Sequence, residues 1–288
     1  MTFPLFLPVL FLLIIPPYQP TNTLQADYEA LVAAERGFAK AGLEKGIRDS
    51  FVENLDEQSV VYAGNQFRPG KATYERAPKG TEKLTWRPNY AEIAASGTLG
   101  FTTGPFEFRP KTMDEEPVAY GQFTSVWHKT ASGDWKVLID FGCTHPKPAK
   151  PGPDLNPPTR FSNKRMIASD TTVSNQELRQ VEAAFVQTAR TKNLRDAYRS
   201  VLPASDSIRL LREGYERYEG TAAKRLADRS TQPVDYQPLQ LITSRSGDLG
   251  FCYGYATFNH KKNAYLRIWR KRSGRWQLAH EVLTVTFS

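Results

Sequence analysis

An internal repeat restricts the fold of this chain more than any other feature of its sequence. The segment SGTLGFTTG at 96–104 returns as SGDLGFCYG at 246–254. Further matches keep the same order and nearly the same spacing: Glu35 and Phe38 with Glu182 and Phe185, Gly70 with Gly220, Trp86 with Tyr236, and Trp127 and Trp135 with Trp269 and Trp276. Self-similarity at a fixed spacing indicates repeated structural units. Since 288 residues also suffice for about two domains, we predict two copies of one domain.

A proline-rich segment separates the two copies. HPKPAKPGPDLNPP at 145–158 contains six prolines. Proline lacks a backbone N–H and fixes its own φ, so this segment favours neither a helix nor a central strand. The sequence therefore predicts a first domain over 27–146, a stiff extended linker over 147–171 and a second domain over 172–288.

The N-terminus resembles an export signal. The apolar run FPLFLPVLFLLII at 3–15 is short for a membrane span and is interrupted by proline. Small Ala26 precedes a plausible cleavage point, although no Lys or Arg precedes the run. We predict a signal peptide over 1–26, and hence a secreted or periplasmic protein with no membrane span in its mature chain. An uncleaved N-terminal membrane anchor and a buried apolar segment are the alternatives.

Each copy has the pattern of an α+β domain. Leu31, Glu35 and Phe38 recur near the helical period in the first copy, as do Leu178, Glu182 and Phe185 in the second. Short β-rich segments follow, separated by Ser-Gly turns of the kind that join antiparallel strands. A leading helix followed by an antiparallel sheet predicts the α+β class. The hairpin that contains KTMDEEPV at 111–118 is about eight residues longer in the first copy than its counterpart in the second.

The sequence lacks the motifs that indicate metal, nucleotide and hydrolase sites. The chain has only two cysteines and four histidines, and none of them has metal-ligand spacing, so we predict no metal site. There is no glycine-rich phosphate loop opening a helix and no G-x-S-x-G motif, and we predict no cofactor.

Positive charge is concentrated in the second half. The chain carries a formal net charge of +8, and residues 151–288 alone account for +9. The segment KKNAYLRIWRKRSGRW at 261–276 holds seven Lys and Arg residues. We interpret it as the solvated face of a hairpin; a patch for an anionic partner is the alternative. Because we predict export, we do not expect nucleic acid to be a partner.

These motifs together resemble a known superfamily. The order E-x-x-F, W-x-P, S-G-x-L-G-F-x-x-G, [VI]-W-x-K and S-G-x-W is similar to the nuclear transport factor 2-like proteins, and more narrowly to the SnoaL-like exported domains. The resemblance covers both copies. It implies two tandem cone-shaped domains, each a strongly curved antiparallel sheet wrapped on N-terminal helices with a pocket at the open end. It also implies that the two copies pair within one chain as single-domain relatives pair in homodimers.

Two carboxylates at equivalent positions are the candidate catalytic residues. Asp140 and Glu281 each lie five residues after a repeated tryptophan, on the last strand of their copy. Strand alternation puts Leu138 and Asp140 on one face, opposite Val137, Ile139 and Phe141. If the Asp140 face lines the cone, burial raises the pKa of the carboxyl and suits it to proton abstraction beside a carbonyl. A carboxylate that only hydrogen-bonds a neighbour is the alternative. For Glu35 and Glu182 we favour that structural role, between helix and sheet.

Aromatic residues at strand spacing are candidate ligand-binding residues, although such residues also form ordinary cores. They are Trp86, Tyr120 and Trp127 in the first copy and Tyr236, Tyr253, Tyr265 and Trp269 in the second.

Three functions are compatible with these patterns. The first is binding of a small apolar or carbonyl-bearing ligand in a cone. The second is an isomerase, dehydratase or cyclase with Asp140 or Glu281 as general base, because the superfamily includes ketosteroid isomerase, scytalone dehydratase and polyketide cyclases. The third is a non-catalytic interaction module with a basic second domain.

Overall fold

A computed structural model describes residues 23–158, 161, 165–166, 170–205 and 207–285. The apolar run at 3–15 lies outside the described residues. Helix α1 begins at Leu24, which is buried, and the Oγ1 of Thr23 accepts a hydrogen bond from the N–H of Ala26 at 3.2 Å. A cut after Ala26 would therefore remove the N-cap and the first turn of α1. None of the helices in the described ranges combines the length and apolar character needed to cross a membrane.

The first half of the chain forms a seven-stranded sheet packed on helices, in the order β2-β1-β7-β6-β5-β3 with β4 also paired to β5. Its elements are α1 (Leu24–Lys45), α2 (Ile47–Asn54), β1 (Leu55–Ala63), β2 (Gln66–Pro69), α3 (Gly70–Arg76), β3 (Lys83–Trp86), β4 (Tyr90–Ile93), β5 (Leu99–Arg109), β6 (Ala119–Lys129) and β7 (Trp135–His145).

The second half repeats this architecture with a six-stranded sheet in the order β10-β11-β12-β13-β8-β9. Its elements are α4 (Thr172–Thr191), α5 (Leu194–Val201), β8 (Arg209–Arg212), β9 (Tyr215–Glu219), α6 (Gly220–Arg229), β10 (Asp235–Thr243), β11 (Leu249–Phe258), β12 (Lys261–Arg272) and β13 (Arg275–Leu283). The predicted fold class, two tandem α+β domains with strands wrapped on helices, is confirmed.

The two sheets differ from the prediction in being mixed. β1 pairs with β7 in parallel, and β8 pairs with β13 in the same way, whereas the remaining pairs are antiparallel. β1 follows α2 directly and β8 is the first strand after α5, and the chain leaves each sheet on its last strand, β7 or β13. In each sheet these first and last strands run in the same direction where they meet. Each domain also has a third helix that was not predicted, α3 in the first and α6 in the second. The matched glycines Gly70 and Gly220 are the first residues of these helices.

The two copies pack against each other through their sheets. A buried apolar cluster joins residues of both, among them Leu99, Phe101, Ile139 and Phe141 with Leu249, Phe251, Leu266 and Ile268. At one end of this interface the N–H of Ser96 donates to the Oγ of Ser246 at 3.0 Å. These two serines are equivalent positions of the repeat. Contact between equivalent residues is characteristic of an isologous, two-fold pairing.

The described part of the linker contains no helix or strand and packs along the first domain. Phe161 lies against Tyr28 of α1, with ring centroids 5.1 Å apart. Arg87 donates to the carbonyl oxygens of Gly152 at 2.5 Å and Pro153 at 3.0 Å. The linker is thus fixed to the surface of the domain that precedes it.

Candidate functional site

The cone of the first domain contains a cavity of about 190 Å³. We call it the Asp140 cavity. Its walls come from α2, α3, β3 and the three central strands, and the lining residues are Phe51, Tyr74, Leu84, Trp86, Phe106, Phe123, Asp140 and Gly142. Asp140 is the one carboxylate among these residues, and aromatic rings supply most of the rest. The cavity therefore suits a small, largely apolar molecule with one polar group.

Asp140 reaches this cavity because it lies on β7 with its side chain toward the helices. The Oγ of Ser125, its cross-strand neighbour on β6, donates to Oδ2 at 2.7 Å. Burial raises the pKa of Asp140 to about 7; the hydrogen bond from Ser125 opposes this rise, and the nearby charge of Glu35 adds to it. The carboxyl can therefore exist in either protonation state near neutral pH.

The predicted alternation holds for Asp140 against Ile139 and Phe141 but is wrong for Val137 and Leu138. Val126 pairs with Ile139, whereas Trp127 pairs with Val137, so Leu138 is the extra residue of a β-bulge. The bulge turns Val137 into the core beneath the helices and leaves Leu138 in the interface between the sheets. β13 has a bulge at the equivalent place, between Leu278 and His280.

Glu35 lies fully buried beside the Asp140 cavity. It accepts hydrogen bonds from Trp86 Nε1 at 2.6 Å, Thr102 Oγ1 at 2.5 Å and Trp127 Nε1 at 2.9 Å. All three donors are neutral. Burial raises the pKa of Glu35, and these hydrogen bonds oppose the rise. Its position joins helix to sheet, as the sequence suggested.

The cone of the second domain is filled by a buried ion network. Arg267, fully buried on β12, donates to Glu182 at 2.5 Å and to Glu281 at 2.6 Å. Arg212 donates to the other oxygen of Glu281 at 2.7 Å, and the hydroxyl of Tyr198 also donates to that oxygen. Burial alone would raise the pKa of Glu281, but the charges of Arg212 and Arg267 hold it below its usual value. A carboxylate so strongly paired is a poor proton acceptor.

The two cones differ at matched positions. Ser125 faces Asp140 across β6 and β7, and Arg267 faces Glu281 in the same register of β12 and β13. Gly142 likewise corresponds to Leu283, so the first cone lacks a side chain that the second has. A Cβ at Gly142 would lie 2.4 Å from the backbone oxygen of Gln122, which makes glycine necessary there. The first cone is open because small residues stand where the second has Arg and Leu.

The expectation that segment 261–276 forms a solvated charged face is wrong for two of its arginines. Arg267 is fully buried, and Arg270 is 5% exposed and pairs with Glu92 of the first domain. The repeat itself held the signal for Arg267, because it precedes the matched Ile268-Trp269 as Ser125 precedes Val126-Trp127.

The predicted aromatic residues fall into three environments. Trp86 lines the Asp140 cavity, and Tyr120 lines an adjoining cavity. Trp127, Tyr236, Tyr265 and Trp269 are packed into the two cores, where Trp127 donates to Glu35 and both Tyr265 and Trp269 donate to Glu182. Tyr253 lies between the sheets, with its ring centroid 4.8 Å from that of Phe67. The binding roles of these residues stay predictions.

The raised pKa of Asp140 predicts a pH-dependent stability difference. An Asp with a pKa of about 7 in the folded state and about 4 when unfolded stabilises the fold while protonated. That contribution is complete below the unfolded pKa and disappears as the pH rises through the folded value. We therefore expect Asp140→Asn to gain stability relative to the wild type as the pH rises from about 4 to about 8. Chemical denaturation across this range measures it, with exposed Asp134→Asn as control. If the stability difference between Asp140→Asn and the wild type did not vary with pH, the pKa of Asp140 would not be raised in the folded state.

Fold and cavity define the class: a tandem pair of α+β domains with one apolar, acid-bearing cone. No protein family matches this chain, and no curated protein does. Among solved structures, it is similar to a nuclear transport factor 2-like protein of unknown function from Pseudomonas putida, with 18% identity over 41% of this chain and 89% of that chain and a TM-score of 0.33. It is also similar to a ketosteroid isomerase-like protein from Erwinia carotovora atroseptica, with 15% identity over 42% of this chain and 98% of that chain and a TM-score of 0.34. A third similar structure is a protein of unknown function with a cystatin-like fold from Nostoc punctiforme. The identity is 13% over 43% of this chain and 97% of that chain, and the TM-score is 0.33. The first two belong to the group that the sequence resembles.

Proposed function

We propose that the first domain binds a small, largely apolar molecule with a carbonyl group and that the second domain is structural. The observation that carries this proposal is a single carboxyl with a pKa of about 7 inside an aromatic cavity of about 190 Å³. In its neutral form Asp140 has an O–H that can donate to a carbonyl oxygen. In the second cone the equivalent carboxylate, Glu281, is paired with Arg267, as is Glu182.

Acetophenone and ethylbenzene test this proposal, because they have nearly the same shape and only the first carries a carbonyl. At pH 6 we expect acetophenone to bind about fivefold more tightly, which is the worth of one buried hydrogen bond. The preference should disappear at pH 8.5, where Asp140 is ionised and can only accept. Calorimetric titration of the purified protein measures both affinities.

Two substitutions at Asp140 distinguish the contribution of its hydrogen bond to ligand affinity from that of the cavity shape. Asp140→Asn keeps a donor and does not titrate, so its preference for the ketone should persist at both pH values. Asp140→Leu removes the donor and should bind both probes equally. A wild-type protein that binds neither probe, or does not distinguish them, would contradict the proposal.

The alternative is an enzyme of the isomerase, dehydratase or cyclase type with Asp140 as general base. A pKa of about 7 favours it, because a base is most effective near the working pH. Tyr74 lines the same cavity, and burial and the charge of Asp140 raise the pKa of its hydroxyl. This phenol stays protonated and can donate to a carbonyl while ionised Asp140 removes the neighbouring proton.

Proton exchange distinguishes catalysis from binding. In D₂O at pH 8, the enzyme hypothesis predicts that Asp140 removes a methyl proton of acetophenone while the enolate oxygen accepts a hydrogen bond from Tyr74. The carboxyl of Asp140 exchanges this proton for a deuteron of the solvent and then transfers the deuteron to the enolate carbon, which regenerates the ketone and the carboxylate. Proton NMR follows the loss of the methyl signal. Asp140→Asn should abolish the catalysed exchange and Tyr74→Phe should slow it. If the wild-type protein exchanges the methyl protons no faster than buffer does, the enzyme hypothesis is wrong and binding is the remaining function.

We also propose that the chain is exported to the periplasm or the cell exterior. The apolar run at 3–15 supports this, with an uncleaved membrane anchor as the alternative. Fractionation of cells that express the full chain, with N-terminal sequencing of the product, distinguishes the two. A cytosolic product that retains residues 1–26 would refute export.

A further inference from the structure

We infer that the ligand site continues from the Asp140 cavity into a second compartment beneath the linker, so that its ligand is an elongated carbonyl compound with an apolar tail. This inference rests on the proposed function and specifies the ligand class. The second compartment, called here the linker cavity, has a volume of about 280 Å³. Its walls include Trp86, Phe106, Tyr120, His145, Pro148 and Pro151.

The two cavities share two walls. Trp86 and Phe106 line both of them. Trp86 is held by its hydrogen bond to Glu35 and by α1, where a Cβ at Gly42 would come within 2.9 Å of its ring. Phe106 lies over Gly121, where a Cβ would come within 2.3 Å of its ring. Both rings are therefore held by neighbours outside the cavities, and a ligand that extends from one compartment into the other would lie against them.

Features particular to the first copy meet at the linker cavity. Lys147 of the linker pairs at 3.3 Å with Glu116, which belongs to the longer hairpin, and lies 6.0 Å from the ring centroid of Tyr120. At the equivalent place the second copy has a two-residue turn, Asn259-His260. Of these additions, the linker lines the cavity through Pro148, Pro151 and Gly152, and Lys147 connects it to the longer hairpin.

Arg87 fixes the linker over this compartment. It follows Trp86 directly, and its guanidinium donates to the carbonyl oxygens of Gly152 and Pro153 and to Asp154 at 3.0 Å. Aromatic and proline rings supply half of the lining residues, and the two charged ones are both paired, Arg87 with the linker and Glu107 with Arg109 at 2.6 Å. Such a surface suits a hydrocarbon tail.

A short and a long ketone test the inference in the full chain. Hexanophenone differs from acetophenone by four methylenes, each worth about a fourfold gain when fully buried, so we expect it to bind on the order of a hundredfold more tightly. Arg87→Ala, which frees the linker, and Tyr120→Ala, which removes a wall, should each reduce the ratio of the two affinities about tenfold. Leu84→Ala alters only the Asp140 cavity, and it should weaken both ketones alike.

Hydrogen exchange gives a second readout for Arg87 as a positioning residue. Hexanophenone should slow exchange of the amides of residues 147, 149, 150 and 152 in the wild type but not in Arg87→Ala, whereas acetophenone should leave these amides unchanged. Equal affinities of the two ketones, or a ratio that both variants preserve, would overturn the inference while the proposed function stands. Failure of acetophenone to bind would overturn both.

Discussion

Replacing Arg267 by methionine is expected to lower the free energy of unfolding by about 3–5 kcal/mol at pH 7.5. The substitution keeps most of the apolar volume and removes the cation that holds Glu182 and Glu281 together. Arg212 would still pair with Glu281, but Glu182 would retain only the neutral donors Tyr265 and Trp269. Equilibrium denaturation in urea measures the loss.

The pH dependence of this loss identifies its cause. A buried carboxylate without a cation is stable mainly when it takes a proton, so its folded pKa lies above its unfolded one and stability falls as the pH rises between them. The destabilisation by Arg267→Met should therefore be smaller at pH 5 than at pH 8. Ser125→Ala, at the matched position of the first copy, should cost less than about 1.5 kcal/mol. A loss by Arg267→Met that does not vary with pH would show that packing, and not charge, explains it.

Repetition made the fold predictable from sequence. Because each motif occurs twice in the same order, the helical stripe of Glu35 and Phe38 and the strand around Gly100 were supported by independent copies at Glu182, Phe185 and Gly250. The mixed sheets were not predicted. Antiparallel and parallel strands share the same two-residue alternation, so periodicity alone does not reveal the pairing of β1 with β7.

Alternation predicted that Asp140 lies opposite Ile139 and Phe141, but it did not show which face lines the cone or how the two cones differ. The facing residues Ser125 and Arg267 are brought to the carboxylates by cross-strand register, and a bulge within each pair changes that register by one residue. A single sequence shows a charged residue in YLRIW without showing which face it takes. The repeat aligns Arg267 with Ser125, but the contacts of Arg267 with Glu182 and Glu281 follow only from the pairing of the strands.

The linker illustrates a second limit. Its six prolines predict a segment that favours neither helix nor central strand, and residues 146–158 contain no helix or strand. Composition does not specify a docking partner, and the contacts of Arg87 with Gly152 and Pro153 join positions more than sixty residues apart. Such contacts depend on tertiary geometry, which also decides whether Tyr120 lines a cavity while Trp127 is packed in a core.

Replacing Ser125 by arginine should close the first cone in the way that the second is closed. Ser125 pairs with Asp140 as Arg267 pairs with Glu281, so an arginine here points between Glu35 and Asp140. Its guanidinium would occupy the Asp140 cavity and pair with both carboxylates. We expect binding of acetophenone to be abolished and the pKa of Asp140 to fall from about 7 to below about 4. Carbon NMR of the carboxyl groups and calorimetric titration measure the two effects.

Ser125→Ala is the matched control, because it removes the same hydroxyl but leaves the cavity open. Loss of the hydrogen bond to Oδ2 should raise the pKa of Asp140 further, since that bond favours the ionised form. The two variants should thus move the pKa of one carboxyl in opposite directions, and only the arginine variant should lose the ketone. If Ser125→Arg still binds acetophenone as the wild type does, the Asp140 cavity is not the ligand site, and the difference between Ser125 and Arg267 does not explain a division of function between the two domains.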